Sequence, residues 1–195
     1  MNHNAAKNKK KELGSSPELT PFFIYIILTM LSAFGFYQYY DKALRFSFDY
    51  SKYLEWLCSA AEWFANNVYG IERTYTQRTS TTKITELGTT DGAKIFVDFS
   101  DGLVLTVSVL CAIFFWPSHI VKKLIAIAVV ATAMVGANIA RIAGALWVDL
   151  HWPLQFKLGS LLITSAYTGL AFLLFLAWMR FSGRHPMSDS LRNFW

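Results

Sequence analysis

A chain of 195 residues that is 54% hydrophobic and 16% aromatic, with a mean hydropathy of +0.32, carries more apolar side chains than one small soluble core can bury. Its net charge of +5 does not point to nucleic acid, because the excess Lys and Arg lie in the short flanks of apolar runs, where membrane topology accounts for them. Cys58 and Cys111 have neither metal-ligand nor disulfide spacing, so both read as structural, and no metal or cofactor is called for.

Residues 1–20 are polar and Lys-rich and contain Ser15-Ser16-Pro17, which predicts a disordered cytoplasmic tail. A single membrane domain then covers residues 21–182, and 183–195 form a second cytoplasmic tail. Four apolar runs follow one another: Phe22–Tyr40, Gly102–Trp116, Leu124–Val148 with Arg141 inside it, and Leu158–Met179. The expected fold class is an all-α membrane protein with four transmembrane helices, near 21–40, 100–116, 121–148 and 158–180. The second run reaches spanning length when Ser100 and Asp101 form its first turn. The first run also resembles a secretory signal with Ala33-Phe34-Gly35 as a cleavage site, but the aromatic belt at Phe34, Phe36, Tyr37, Tyr39 and Tyr40 suits an interface anchor better.

The outer segment, residues 41–99, carries two further elements. Tyr50, Tyr53, Leu54, Leu57, Ala61, Phe64 and Val68 recur at helical spacing, which predicts an amphipathic helix with Trp56 and Trp63 at interfacial depth. Asp91-Gly92 then marks a tight turn between candidate strands near Thr81–Leu87 and Ala93–Phe99, a small β-hairpin. Lys7, Lys9, Lys10 and Lys11, then Lys122 and Lys123, then Arg180, Arg184 and Arg192 fall on one side of the membrane if the helix count is four. That arrangement puts both termini in the cytoplasm and residues 41–98 outside, with membrane lipid as the surrounding partner.

Polar groups inside this apolar frame need a reason. From Trp116 back to Ser100 is 16 residue steps and from Leu124 up to Arg141 is 17, about 25 Å each along antiparallel helices at about 1.5 Å per residue. Ser100, Asp101 and Arg141 therefore share one depth near the outer surface, and Asn138, one turn below Arg141, shares its face.

Asn138-Ile-Ala-Arg141-Ile142, the strand before Gly102, the helix ending in Phe115-Trp116-Pro117 and the Lys-bearing link resemble, in order and spacing, the exosortase/archaeosortase family, closest to the exosortase H type. The resemblance covers about residues 93–180. It implies a membrane bundle with an outward site that handles C-terminal sorting signals of exported proteins. It also implies a nucleophilic Cys before a Ser/Thr/Asn-Gly pair, the Arg of the motif, and a His at the start of the last helix. Arg141 matches; Ser100 stands in the Cys position within Phe99-Ser100-Asp101-Gly102, and Lys157 or Gly159 stands where the His belongs.

A serine hydroxyl, unlike a thiol, needs a general base. His151, in the loop after the third helix, Lys157 at the mouth of the last helix, and Asp101 are the candidates. Each has a plainer reading: Asp101 pairs with Arg141, Ser100 caps a helix, His151 sits wet at the interface, and Lys157 snorkels. Three functions compete on these residues. One is a degenerate exosortase-like adaptor that binds sorting signals or another membrane protein; the second is an active serine-type protease or transpeptidase using Ser100; the third is a structural subunit.

Overall fold

A computed structural model describes residues 19–43, 48–78, 85–97 and 102–182. In chain order they form α1 (Leu19–Lys42), α2 (Phe48–Val68), β1 (Thr74–Arg78), β2 (Thr85–Thr89), β3 (Lys94–Val97), α3 (Leu103–Phe115), α4 (Ile120–His151) and α5 (Phe156–Ser182). A 3-10 turn, Pro153–Gln155, joins the last two helices.

Among the described residues three helices, α1, α4 and α5, are long and apolar enough to cross a membrane. The protein is membrane-embedded on that ground. The run expected to form a helix over 100–116 gives only the 13 residues of α3. At about 1.5 Å per residue it reaches about 20 Å, short of a bilayer core of about 30 Å. Its start is set by Gly102, whose φ of +83° lies in the left-handed region, so regular helix begins only at Leu103. Ser100 and Asp101 lie outside the described residues.

Short as it is, α3 is the centre of the bundle, packed on α1, α4 and α5. Apolar on every side, it has neighbours on three sides. The helices around it leave apolar side chains outward, such as Ile27 and Leu31 on α1, Leu124 and Val129 on α4, and Leu173 on α5. In water such a surface would drive association; in lipid it is solvated.

The far ends of α4 and α1 carry a cap. One face of α2 buries Leu54, Leu57 and Ala61 against Ile142, Ala143 and Leu146 of α4, together with Leu87, Ile95 and Val97 of the sheet. Its opposite stripe keeps Trp56 and Trp63 exposed, at 53% and 63%. The end of α1 and the start of α2 are tied by Tyr40 and Tyr50, whose buried hydroxyls lie 2.6 Å apart.

The sheet differs from the expected hairpin by one strand. β2 and β3 pair antiparallel around the turn at Asp91-Gly92, where Gly92 has a φ of +98°. β1 adds to the other side of β2, giving the order β1-β2-β3. Polar partners fasten it to the cap: Thr74 Oγ1 donates to Asn66 Oδ1 and Thr76 Oγ1 to Glu62 Oε2, both at 2.7 Å.

Candidate functional site

The site is built at the start of α3. Gly102 presents its carbonyl to three donors: Thr106 N–H at 3.0 Å, Thr106 Oγ1 at 3.0 Å and the Tyr167 hydroxyl of α5 at 3.2 Å. The Thr106 and Tyr167 hydroxyls are themselves 3.1 Å apart. A Cβ at Gly102 would fall 2.7 Å from the Tyr167 hydroxyl and 2.8 Å from Asn138 Oδ1, so both φ and space demand glycine. The first turn of α3 is thus held against α4 and α5 at one point.

Arg141 is arranged around the same point. Its Nε donates to Asn138 Oδ1 at 2.9 Å, one helical turn away, and its guanidinium carbon lies 5.6 Å from the centre of the Tyr167 ring. Asn138 is 2% exposed and Tyr167 5% exposed, so both work as a fixed seat. A guanidinium over an aromatic face in a partly dry setting gains about 0.5–2 kcal/mol. Gly102, Asn138 and Arg141, picked out by the sequence, are therefore in one cluster.

This cluster forms one wall of a cleft of about 830 Å³, within the range of about 300–1,000 Å³ typical of ligand sites. β3 lines a second wall with all four of its residues, and α5 lines a third with Phe156, Ser160, Ile163 and Thr164. Its lining is mainly apolar. Among the described lining residues the charged ones are Lys94 and Arg141, with no carboxylate. Lys94 is held at the rim by Glu86, Nζ to Oε1 3.1 Å, and the Tyr75 hydroxyl donates to the same oxygen at 2.8 Å. The Tyr75 hydrogen bond, then Lys94, hold the Glu86 carboxyl below its ordinary range, while Glu86 raises Lys94 in return.

Of the three candidate bases, Asp101 lies outside the described residues and the other two stand elsewhere. His151 is not in a loop: it is the last residue of α4, because that helix runs on to the 3-10 turn at Pro153. Its ring stacks on Trp147 with centroids 4.6 Å apart, and Nδ1 lies 2.9 Å from the Trp147 carbonyl. Lys157 is exposed in the first turn of α5. Neither is among the residues that line the cleft. Gly159, the other position matching the family histidine, is a close approach between helices, where a Cβ would meet Val148 Cγ1 at 2.5 Å. A histidine at that point requires α4 and α5 to separate.

Thr106, Tyr167 and Lys94 escaped the sequence reading. A hydroxyl in the middle of an apolar helix is the signal that was available for Tyr167 and Thr106, since each must find a partner away from water. Among the described residues no group of three His, Cys, Asp or Glu converges to hold a metal ion. Cys58 is buried in the cap, and burial, with Glu62 nearby, pushes its thiol up to about 12, leaving it inert as a nucleophile.

The chain matches no family model, no curated protein and no solved structure.

Proposed function

We propose that the chain is an exosortase-like integral protein of the cytoplasmic membrane that binds the C-terminal sorting signal of an exported polypeptide in the cleft beside Arg141, acting as an adaptor. In this reading α3 joins α1, α4 and α5 as a fourth crossing element, both termini are cytoplasmic and the cleft faces outward. Lys122 and Lys123 at one end of the bundle and Arg180 at the same end support that orientation, because cytoplasmic flanks retain basic residues.

The observation that carries the proposal is the seating of Arg141 on Asn138 and Tyr167 at the wall of an open, mainly apolar cleft. An intramembrane cation is costly, and one fixed at a cleft wall is suited to recognising negative charge on an otherwise apolar ligand. Binding is favoured over cleavage because a serine nucleophile needs a base and, of the candidates among the described residues, His151 is turned onto Trp147 and Lys157 lies off the cleft.

Co-expression with a tailed exported protein tests this. Wild-type protein retains the full-length client in a detergent pull-down, and Arg141→Ala loses it while still inserting. Equal retention by both would leave only a structural role. A client returned shortened, with the shortening abolished by Ser100→Ala, would replace the adaptor with a serine-type protease.

A further inference from the structure

The edge of β3 has a property that the cleft makes consequential. Thr89 N–H bonds the Ala93 carbonyl at 2.9 Å, so Thr89 and Ala93 are a hydrogen-bonded pair. Antiparallel partners alternate between bonded and non-bonded pairs, and the register sets Leu87 opposite Ile95 and Glu86 opposite Phe96. Ile95 and Val97 therefore spend their backbone groups on β2, whereas the N–H and C=O of Lys94 and Phe96 point out of the sheet.

An independent contact agrees with that assignment. The Lys94 N–H is taken by Asp149 Oδ2 of α4 at 2.9 Å, on the side away from β2. Among the described residues this leaves the Lys94 carbonyl and the Phe96 N–H and carbonyl along an edge that lines the cleft. From Asp149 to Arg141 is eight residues of α4, about 12 Å. A strand that starts at the level of Lys94 and runs alongside α4 would cover that distance in about four residues at about 3.3 Å each.

We propose that β3 is a template on which an extended polypeptide segment pairs as a fourth strand, its backbone bonded to Phe96 and a carboxylate four or so residues along directed to Arg141. The proposal rests on the reading that the cleft holds an exported polypeptide, and it specifies how. Main-chain bonds to a sheet edge give affinity without sequence, and alternate side chains enter the apolar walls formed by Ile163 and Phe156. An acidic group on the segment matches the guanidinium of Arg141, which lines the cleft beside Tyr167, whereas Lys94 is already held by Glu86. The carboxylate comes from a chain terminus or an acidic side chain.

The test uses the full chain in lipid nanodiscs and fluorescent six-residue Thr/Val peptides. One carries a free terminal carboxylate, one is amidated with a single glutamate, and one is amidated and neutral. The tighter acidic peptide is then N-methylated at alternate amides in two complementary sets. One set weakens binding about tenfold, since it removes the bonds to Phe96, and the other leaves it unchanged. The neutral peptide binds at least about tenfold more weakly than the tighter acidic one. Phe96→Pro, which removes an outward N–H and leaves the ladder to β2 intact, reproduces the loss without lowering the melting temperature. Two methylated sets that both bind like the parent, with binding still dependent on Arg141, would remove strand pairing and leave the cleft reading standing. Absence of binding by every peptide, or binding indifferent to Arg141→Ala, would remove both. If Phe96→Pro fails to fold, the methylated peptides on wild-type protein decide the question.

Discussion

The two ends of the helical bundle use the same chemistry to opposite effect. At the link end, between α3 and α4, Trp116 is 2% exposed, with its ring edge-on to Tyr25 of α1 at 5.2 Å and to Phe175 of α5 at 5.9 Å. Its indole N–H donates to Ser182 Oγ at 2.9 Å. Lys123 Nζ donates to the Phe114 carbonyl at 2.7 Å and Lys122 Nζ to that of Ser182 at 3.5 Å, so both cations close helix C-termini. At the cap end an aromatic, a hydroxyl and a cation recur as Tyr167, Thr106 and Arg141, but here Tyr167 and Arg141 line an open cleft. Cations that bond helix carbonyls close the bundle, whereas Arg141 is braced by Asn138 at the wall of a cleft.

Substitutions separate the closed end from the open one, and the largest effect belongs at the closed end. Trp116→Ala removes the ring that joins three helices and lowers stability by about 3–5 kcal/mol, with client binding per folded molecule unchanged. Thermal unfolding beside pull-down of the folded fraction checks this. Gly102→Ala forces a Cβ into Tyr167 and Asn138 at positive φ; it costs about 1–3 kcal/mol and, unlike Trp116→Ala, also weakens client binding.

Arg141→Ala reverses the pattern, with a loss of about tenfold or more in client affinity and little change in melting temperature. Arg141→Lys restores only part of the affinity, because an ammonium lacks the planar face that lies over Tyr167. Tyr167→Phe is milder, about 1 kcal/mol, since the ring stays while the bonds to Gly102 and Thr106 go.

The smallest effect is one of pH at the rim. Glu86 has its folded pKa depressed, so its contribution is present above the unfolded value of about 4.3 and is lost as pH falls through the lower folded value. The melting-temperature gap between wild type and Glu86→Gln should therefore hold at pH 6 and close as pH falls below about 4. A gap independent of pH would show that Tyr75 and Lys94 do not hold Glu86 as described.

Legibility in the sequence followed the kind of force involved. Long apolar runs, the middle one interrupted only by Arg141, announced α1, α4 and α5, because burial in lipid imposes length and composition. The stripe from Tyr50 to Val68 announced α2 by its period. β1 stayed hidden because Thr74-Tyr-Thr-Gln-Arg78 has no apolar alternation; it is fastened by Thr74 and Thr76 bonding Asn66 and Glu62, pairings that no periodicity reveals. The start of α3 was misplaced because a left-handed Gly102 ends the reach of the apolar pattern. At the site, motif and depth marked Gly102, Asn138 and Arg141, but Tyr167 lies among 27 residues of apolar helix and only the packing of α5 on α3 brings its hydroxyl to Gly102. Ser100 and Asp101, named by the same motif, lie outside the described residues.

The difference between an open and a closed end is measurable by thiol accessibility in intact cells. In a background with Cys58 and Cys111 replaced by alanine, Ser160→Cys reports on the cleft and Ser118→Cys on the link end, where the Ser118 hydroxyl is buried. A membrane-impermeant maleimide added outside labels Ser160→Cys and leaves Ser118→Cys untouched. Ser160→Cys that reacts only after the membrane is permeabilised, or not at all, would contradict an outward, open cleft at Arg141.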